Sequence, residues 1–462
     1  MPFTQDVSPV PHQEGGRDRY PLSSQQQLWC AGEGAGAFGP RFIVTKTLRI
    51  TGYVDEVALQ GALDDVAARH EMLRTVVVRD AEPPYQEVHP PSPVPLVVRD
   101  LPAAPGDERD ALAQQLLTEA EESGVPVDEL PLLRAVLARF DDEDSVLSLV
   151  THHTACDGWS LQLIHRDLAA CYALRTGEDV APLPPARQYR EYTRWQHDST
   201  AGPAAAANMA YWHRQLDGAP FFTLPTDRPV QPVQTQPYLA RNLVLDVGVV
   251  ADLARLARTS RSSSFMVMLS AFTVLAHRIR GDLHPVVNTM IHGRGKPEYQ
   301  DTVGPFLNFL PLRTDLSGCD SFHDVIRATR ATCLDAYAHE VPVQHLEEAI
   351  PSLMAPMADP ANCDFIFGFF ESPVSPGTGG PADDPYRIGD ATAGVQKIQT
   401  VSEQIPGGAA WNMGVASTGE IRGALQFNPG EFDESTAAGW VADYCRIVLA
   451  AVAEPDRAWK TL

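Results

Sequence analysis

The sequence predicts an α/β protein of two lobes, and three observations carry that prediction. At 462 residues the chain exceeds what one hydrophobic core usually supports, so two domains of roughly 180 to 270 residues are expected. Strand-like and helix-like periodicities alternate in both halves. The stretch "GEDVAPLPPARQ", residues 177–188, gathers prolines between helical segments, which sets the first lobe at 20–183 and the second at 184–462. Residues 1–19, polar and rich in proline and glycine, read as a loose arm.

In the first lobe, "YPLSSQQQLWCAGE" offers Ser23 or Ser24 as the cap of a short helix, and "RFIVTKTLRI" is a strand rich in β-branched residues. Behind Asp55 as a cap, Leu59, Ala62, Leu63, Val66, His70 and Leu73 recur at helical spacing, and "TVVVRD" is the next strand. "DSVLSLVTHH" is a buried strand, followed by a helix in which Leu161, Ile164, Leu168 and Cys171 form one stripe. The second lobe repeats the mixture: "MVMLSAFTVLAHRI" is an apolar helix, "HPVVNTMI" a strand, and "SFHDVIRATRATCLDAYAHE" an amphipathic helix. Residues 371–390, "ESPVSPGTGGPADDPYRIGD", read as a surface excursion.

Composition limits the function classes. A formal charge of −23, from 59 acidic against 36 basic residues, disfavours a general role on nucleic acid or anionic membrane. The seven cysteines are scattered without a C-x-x-C pair, so they read as reduced thiols rather than a disulfide framework or zinc site. No signal-like N-terminus and no run of about 18 apolar residues is present, which predicts a cytoplasmic protein. "GAGAFG" at 34–39 fits a dinucleotide fingerprint by letter, but it follows a helix and precedes a strand, the reverse of the required order.

The chemistry concentrates in "VTHHTACDGWS", residues 150–160. Neighbouring side chains on a strand point to opposite faces, so His152 and His153 need different tasks. One can be locked into the structure while the other faces a cleft, where a neutral imidazole is a suitable general base. Asp157 stands where a helix cap is needed, and Gly158 allows close backbone approach beside helix N–H donors. On residue types alone, catalysis and a structural histidine pair remain equal readings.

"HHTACDGWS" resembles the HHxxxDG signature of the condensation domains of nonribosomal peptide synthetases, within the chloramphenicol-acetyltransferase-like superfamily. Other family-like segments follow in order. "LSSQQQLW" (22–29) resembles the opening motif and "RHEMLRT" (69–75) the RHExLRT segment. "YREYTRWQ", "YWHRQLDGAP" and "LPTDRP" come next, and "HGRGKPEYQDTVGPFLNFLPLR" (292–313) is similar to the GR…GxFxNxxPLR segment. "HEVPVQHL" (339–346) and "GALQFNPGEFDESTAAGW" (423–440) complete the series, which runs from about residue 20 to the C-terminus.

The resemblance implies two chloramphenicol-acetyltransferase-like lobes forming a V with a central tunnel, with a floor loop and a crossover latch in the second lobe. It implies acyl transfer from a thioester on the phosphopantetheine arm of a carrier protein to an amine or hydroxyl, giving an amide or an ester. His153 carries over as the catalytic residue, either managing the nucleophile's proton or holding acceptor and intermediate; His152, Asp157 and Gly158 carry over as its support. Asp157 is expected to pair with Arg294, and Asn308 to belong to the tunnel floor. Cys156 reads as a small buried substitute for serine, and Phe365, Phe367, Phe369 and Phe370 as packing.

No metal or redox cofactor is expected. The partners implied are a carrier protein in trans and a small acceptor, as for an enzyme free of fused adenylation or carrier segments. An acyl-CoA-dependent acyltransferase of the same superfamily, an epimerising relative and an inactive recruitment module are the rival readings; the last would lose the histidine pair.

Overall fold

The computed structural model describes residues 18–31, 39–40, 42–102, 104–200, 202–230, 238–370, 388, 392–396, 408–416 and 419–462. Most of the surface excursion expected at 371–390 therefore lies outside the described residues, as does the arm up to residue 17. Contacts divide the chain into two compact units that no single cut separates. The first takes residues 1–198 with 296–305 and 376–397, and the second takes the rest.

The first unit holds two sheets. β1 (Asp18–Pro21), β3 (Thr75–Val78) and β4 (Tyr85–Val88) make a small antiparallel sheet in the order β1-β4-β3, so Asp18 and Arg19 are already in a ladder rather than in the arm. The larger sheet combines β2 (Ile43–Thr51), β5 (Leu96–Asp100), β6 (Leu133–Asp141), β7 (Asp144–His152) and β13 (Thr392–Gln396), in the order β13-β2-β7-β6-β5. Its helices are α1 (Ser24–Ala31), α2 (Glu56–Arg69), α3 (Gly106–Ser123), α4 (Gly158–Arg175) and α5 (Tyr189–Thr200).

The starts of α1 and α2 have local causes. Ser23 Oγ accepts from the Gln26 N–H at 3.2 Å and Gln26 Oε1 accepts from the Ser23 N–H at 2.9 Å, a reciprocal cap that begins α1. Asp55 Oδ1 accepts from the N–H groups of Val57 and Ala58, and the apolar stripe of α2 behind it, Leu59, Ala62, Leu63 and Val66, is fully buried. That stripe packs with Leu161, Ile164 and Leu168 of α4 on Leu147 and Leu149 of β7, forming one core.

Residues 296–305 belong with this unit because α4 holds them. The Ser160 hydroxyl donates to the Gly304 carbonyl at 2.8 Å, and the Gly304 N–H donates back to Ser160 Oγ at 3.0 Å. Trp159 Nε1 donates to the Gln300 carbonyl at 2.9 Å, and Arg166 pairs with Asp301.

The second unit is built on one sheet. β8 (Thr223–Pro225), β9 (Leu239–Leu245), β10 (Val286–Ile291), β11 (Asn308–Arg313), β12 (Asn362–Phe370), β14 (Ala409–Val415) and β15 (Ile421–Phe427) run in the order β11-β10-β12-β14-β15-β9, with β8 paired to β12. The β10-β12 and β12-β14 pairs are parallel. Around it stand α6 (Pro203–Leu216), α7 (Val247–Thr259), α8 (Ser264–Arg280), α9 (Phe322–Ala338), α10 (Val343–Ala349) and α11 (Glu434–Ala453). Phe365 and Phe367 are core residues: Phe272 of α8 stacks on Phe365 at 4.7 Å and meets Phe367 at 5.1 Å. Phe369 is buried as well, whereas Phe370 is exposed. All seven cysteines are free thiols.

A methyl group on Gly304 would fall 2.2 Å from Cδ2 of Tyr189, whose hydroxyl donates to the Pro305 carbonyl and lies against Ser23 Oγ, each at 2.8 Å. Gly304→Ala is accordingly expected to cost about 1–3 kcal/mol through overpacking. Urea unfolding checks this; an unchanged midpoint at constant slope would show that the ring yields freely.

Candidate active site

β7 ends at His152, which lies opposite Ile43 of β2, and the ladder continues by one bond as the His153 N–H donates to the Phe42 carbonyl at 2.7 Å. The two imidazoles leave this extended chain in different directions and meet different surroundings.

His152 is completely buried, and both ring nitrogens are in use. The Thr154 N–H donates to Nδ1 at 3.1 Å, and the Thr154 hydroxyl lies 2.8 Å from the same atom. Nδ1 is therefore the bare acceptor, which places the proton on Nε2, where it is donated to the Gly39 carbonyl at 3.0 Å. Burial pushes the pKa down to about 4 against the favourable Gly39 carbonyl, with His153 adding a small repulsion. His152 is thus a neutral, fixed ring that ties the strand end to residues 39 and 154.

His153 remains half-buried. Its ring is stacked on Phe42, with centroids 4.7 Å apart and planes 17° from parallel, and meets Trp29 edge-on at 5.9 Å. Among the described residues, its buried Nδ1 makes no hydrogen bond of good geometry. Burial draws the pKa below the ordinary histidine value, outweighing the opposing backbone of His153, the Asp157 carboxylate and the backbone of Cys156. A neutral imidazole near pH 7, still reachable on part of its surface, is chemically suited to accept a proton.

Asp157 is buried and caps α4: Oδ1 accepts from the Ser160 N–H at 2.7 Å. Cys156 is fully buried among the α2 and α4 side chains, and its thiol donates to the Asp157 carbonyl at 3.2 Å, so it fills space as a small residue. Gly158 is exposed, and a methyl group built on it would meet no protein atom within 4 Å. Among the described residues no backbone makes the close approach expected at Gly158, and the space beside it is open.

Arg294 and Asn308 belong to the second unit, so the six sequence-predicted residues fall into two groups, with Arg294 in a different unit from Asp157. Arg294 is nearly fully buried: its guanidinium lies 4.1 Å above the Phe306 ring and donates to the His292 carbonyl at 3.2 Å. The turn before it requires glycine, because Gly293 has φ of 62° and a methyl group there would fall 1.9 Å from the Phe306 carbonyl oxygen. Asn308 Nδ2 donates to Glu340 Oε1 at 3.1 Å and the Val341 carbonyl at 3.0 Å, while its Oδ1 accepts from the Val343 N–H at 3.2 Å. Its amide holds residues 340–343 in place. Burial raises the Glu340 pKa, opposed by the Asn308 hydrogen bond.

Two features escaped the sequence reading. The first is the contact of Trp29 and Phe42 with His153. The second is Asp167, fully buried on α4, which His70 Nε2 approaches at 2.9 Å, Arg69 at 2.7 Å and Arg166 at 2.9 Å. Burial pushes the Asp167 carboxyl up, yet the His70 hydrogen bond and the Arg166 and Arg69 partners outweigh it and hold the group at about 2. Burial lowers the His70 pKa, so the ion pairing here is between Asp167 and the two arginines, with neutral His70 donating. Among the described residues, no group of three or more His, Cys, Asp or Glu side chains is placed to hold a metal ion.

Comparison with known proteins gives a consistent answer. The model of the family described as "Condensation domain" matches residues 16–462. A probable non-canonical nonribosomal peptide synthetase, CymA, of Salinispora arenicola is 35% identical over 452 residues, covering 95% of this chain but 6% of CymA. Phosphinothricin tripeptide synthetase PhsC of Streptomyces viridochromogenes is 35% identical over 323 residues, 69% of this chain and 30% of its own. The chain thus spans a minor part of these relatives. Among solved structures, SgcC5 of Streptomyces globisporus superposes with a TM-score of 0.85 at 38% identity, covering 95% of this chain and 100% of SgcC5. The X-domain from teicoplanin biosynthesis gives 0.74 at 25%, covering 99% of each chain.

Two stability tests follow from the geometry. His152 has a folded pKa of about 4, below its unfolded value near 6.5, so the unfolded chain binds the extra proton. Stability from this group is complete above pH 6.5 and is lost as pH falls towards 4, by about 3 kcal/mol over that window. His152→Asn, whose carbonyl can accept from Thr154, should flatten that part of the profile in urea titrations at pH 7 and 4.5. A wild-type slope in the variant would contradict the assignment. For Asp157→Ala, loss of the cap alone predicts about 1 kcal/mol; a thermal shift corresponding to about 3–5 kcal/mol would reveal that the carboxylate also satisfies a buried cation.

Proposed function

The chain belongs to the condensation-domain family, and from that premise we propose that it transfers an acyl group from a carrier-protein thioester to a separate small molecule, with a hydroxyl acceptor favoured over an amine. The observation that carries this reading is the division of labour between the two histidines. His152 is committed to the fold through both nitrogens, while the half-buried His153 is poised to be neutral at the start of the reaction. The whole-length likeness to SgcC5, whose solved structure holds (R)-(-)-1-(2-naphthyl)-1,2-ethanediol, supports a diffusible acceptor and the preference for a hydroxyl.

In the proposed reaction the acceptor oxygen attacks the thioester carbonyl carbon while His153 takes its proton. The tetrahedral intermediate collapses with cleavage of the C–S bond, and the imidazolium returns the proton to the departing thiolate. The products are an ester and a free phosphopantetheine thiol; an amine would give an amide by the same bookkeeping. The thioester is already activated, so holding two substrates in register supplies much of the acceleration and no covalent enzyme intermediate is required. Open space beside Gly158, next to the N-terminal turn of α4, supports placement of a reacting group there. No metal enters the proposed steps.

One acyl group presented as carrier-bound thioester, CoA thioester and short free thioester, each with alcohol and amine acceptors, tests the proposal by mass spectrometry of products. The carrier thioester should be consumed fastest, with the alcohol as acceptor, and His153→Ala should lower kcat by about 10²–10⁴-fold while remaining folded. Faster turnover of CoA thioester than of every carrier tried would reassign the donor. Preferential amide formation would reassign the acceptor, and an undiminished His153→Ala would remove the base.

A further inference from the structure

Positions 42 and 153 continue the β2–β7 register by one pair beyond Ile43 and His152, and cross-strand neighbours project to the same side. That is why Phe42 lies against His153, 4.7 Å away and 17° from parallel. Trp29, from α1, closes a second side: it meets His153 at 5.9 Å and Phe42 at 5.6 Å, edge-on to both. Two aromatic rings from two segments thus touch each other and the imidazole of a third. Among the described residues, Nδ1 of the base that the proposed function needs makes no hydrogen bond of good geometry to set its orientation.

Resting on the acyl-transfer reading above, we propose that Phe42 and Trp29 are positioning residues for His153, fixing the plane of its imidazole and keeping water from one ring face. A histidine side chain has two torsions, and a parallel ring on one face with an edge-on ring beside it restricts the second. The same cover denies hydration to an imidazolium. A phenyl face by itself attracts a cation, and the Asp157 carboxylate together with the backbone of His153 and Cys156 also favours the charged form. The fixed ring of His152, neutral in its own pocket, supplies no countercharge. Dehydration outweighs these attractions, which leaves the imidazole below its ordinary pKa.

The test compares wild type, Phe42→Ala, Phe42→Tyr and Trp29→Ala in the full chain. One readout is NMR titration of isotope-labelled histidine, with the His153 signal assigned by its absence in His153→Gln. The other is the pH dependence of carrier-dependent acyl transfer. Wild type should show an acid limb of kcat/KM below pH 6.5, matching the His153 titration. Phe42→Ala should move both upward towards 6.5 and reduce kcat by about 10- to 100-fold, with KM for the acceptor changed by less than about twofold. Phe42→Tyr, which keeps the ring, should restore both quantities, and Trp29→Ala should move them in the same direction as Phe42→Ala.

A Phe42→Ala protein with wild-type titration and kcat, or a folded Phe42→Tyr protein that restores neither, would overturn the assignment. If Phe42→Ala does not fold, Trp29→Ala decides by the same two measurements. The NMR titration judges the aromatic clamp even if His153→Ala retains activity, so failure of the clamp and failure of the acyl-transfer reading are separable.

Discussion

The last backbone bond between β2 and β7, from the His153 N–H to the Phe42 carbonyl, is the constraint on which the site depends. It fixes which imidazole goes inward. A slip of one residue in this ladder would exchange the faces of His152 and His153, sending the aromatic-stacked ring into the interior and the ring bonded through both nitrogens outward. The nine-pair register from Ile43–His152 to Thr51–Asp144 resists that slip on both faces. Leu147 and Leu149 are buried in the core shared with α2 and α4 on one side, and Thr47 and Ser148 share a hydrogen bond of 2.9 Å on the other. The chain then turns and is captured at once by the Asp157 cap, so strand end, turn and helix start are fixed within six residues.

Charge is distributed in the first unit by the same economy. Its two signature histidines are neutral rings, while Asp167 is a fully buried ionised group surrounded by Arg69, Arg166 and His70. Removing any one of those partners would leave a buried carboxylate under-compensated, a costly arrangement at low dielectric. Because Arg166 also reaches Asp301, and Ser160 and Trp159 bind Gly304 and Gln300, α4 ties the segment 296–305 to the core under the signature loop. The RHE sequence at 69–71 therefore owes its character to α4: Arg69 and His70 are there for Asp167.

Local signals in the sequence survive folding well. Apolar spacing located α2, α4, α8 and α9, and the caps at Asp55 and Asp157 are where residue chemistry puts them. The inequality of His152 and His153 was legible because alternation along a strand is a property of the chain itself. Which ring would be locked could be read only from the family likeness, since Gly39 and Thr154 become partners through the turn and the approach of another segment. Trp29 and Phe42 were invisible for the same reason: their contact with His153 depends on strand register and helix docking. The membership of residues 296–305 in the first unit arises from long-range bonds to α4, which a local proline-rich stretch cannot reveal.

The environment of His153 also differs from that of a histidine that must activate a poor nucleophile against an unactivated carbonyl. There, a carboxylate on Nδ1 orients the ring and stabilises the imidazolium while a covalent intermediate forms. Here the carboxylate of the signature loop accepts from the Ser160 amide, and among the described residues Nδ1 makes no hydrogen bond of good geometry. An imidazolium formed in such surroundings is comparatively unstable and a ready proton donor. Under the proposed reaction that is an advantage, because the same proton must reach the thiolate as the C–S bond breaks. Orientation, which the carboxylate would otherwise provide, is left to the aromatic rings of Phe42 and Trp29, which can hold the imidazole without adding charge that would prolong its protonated state.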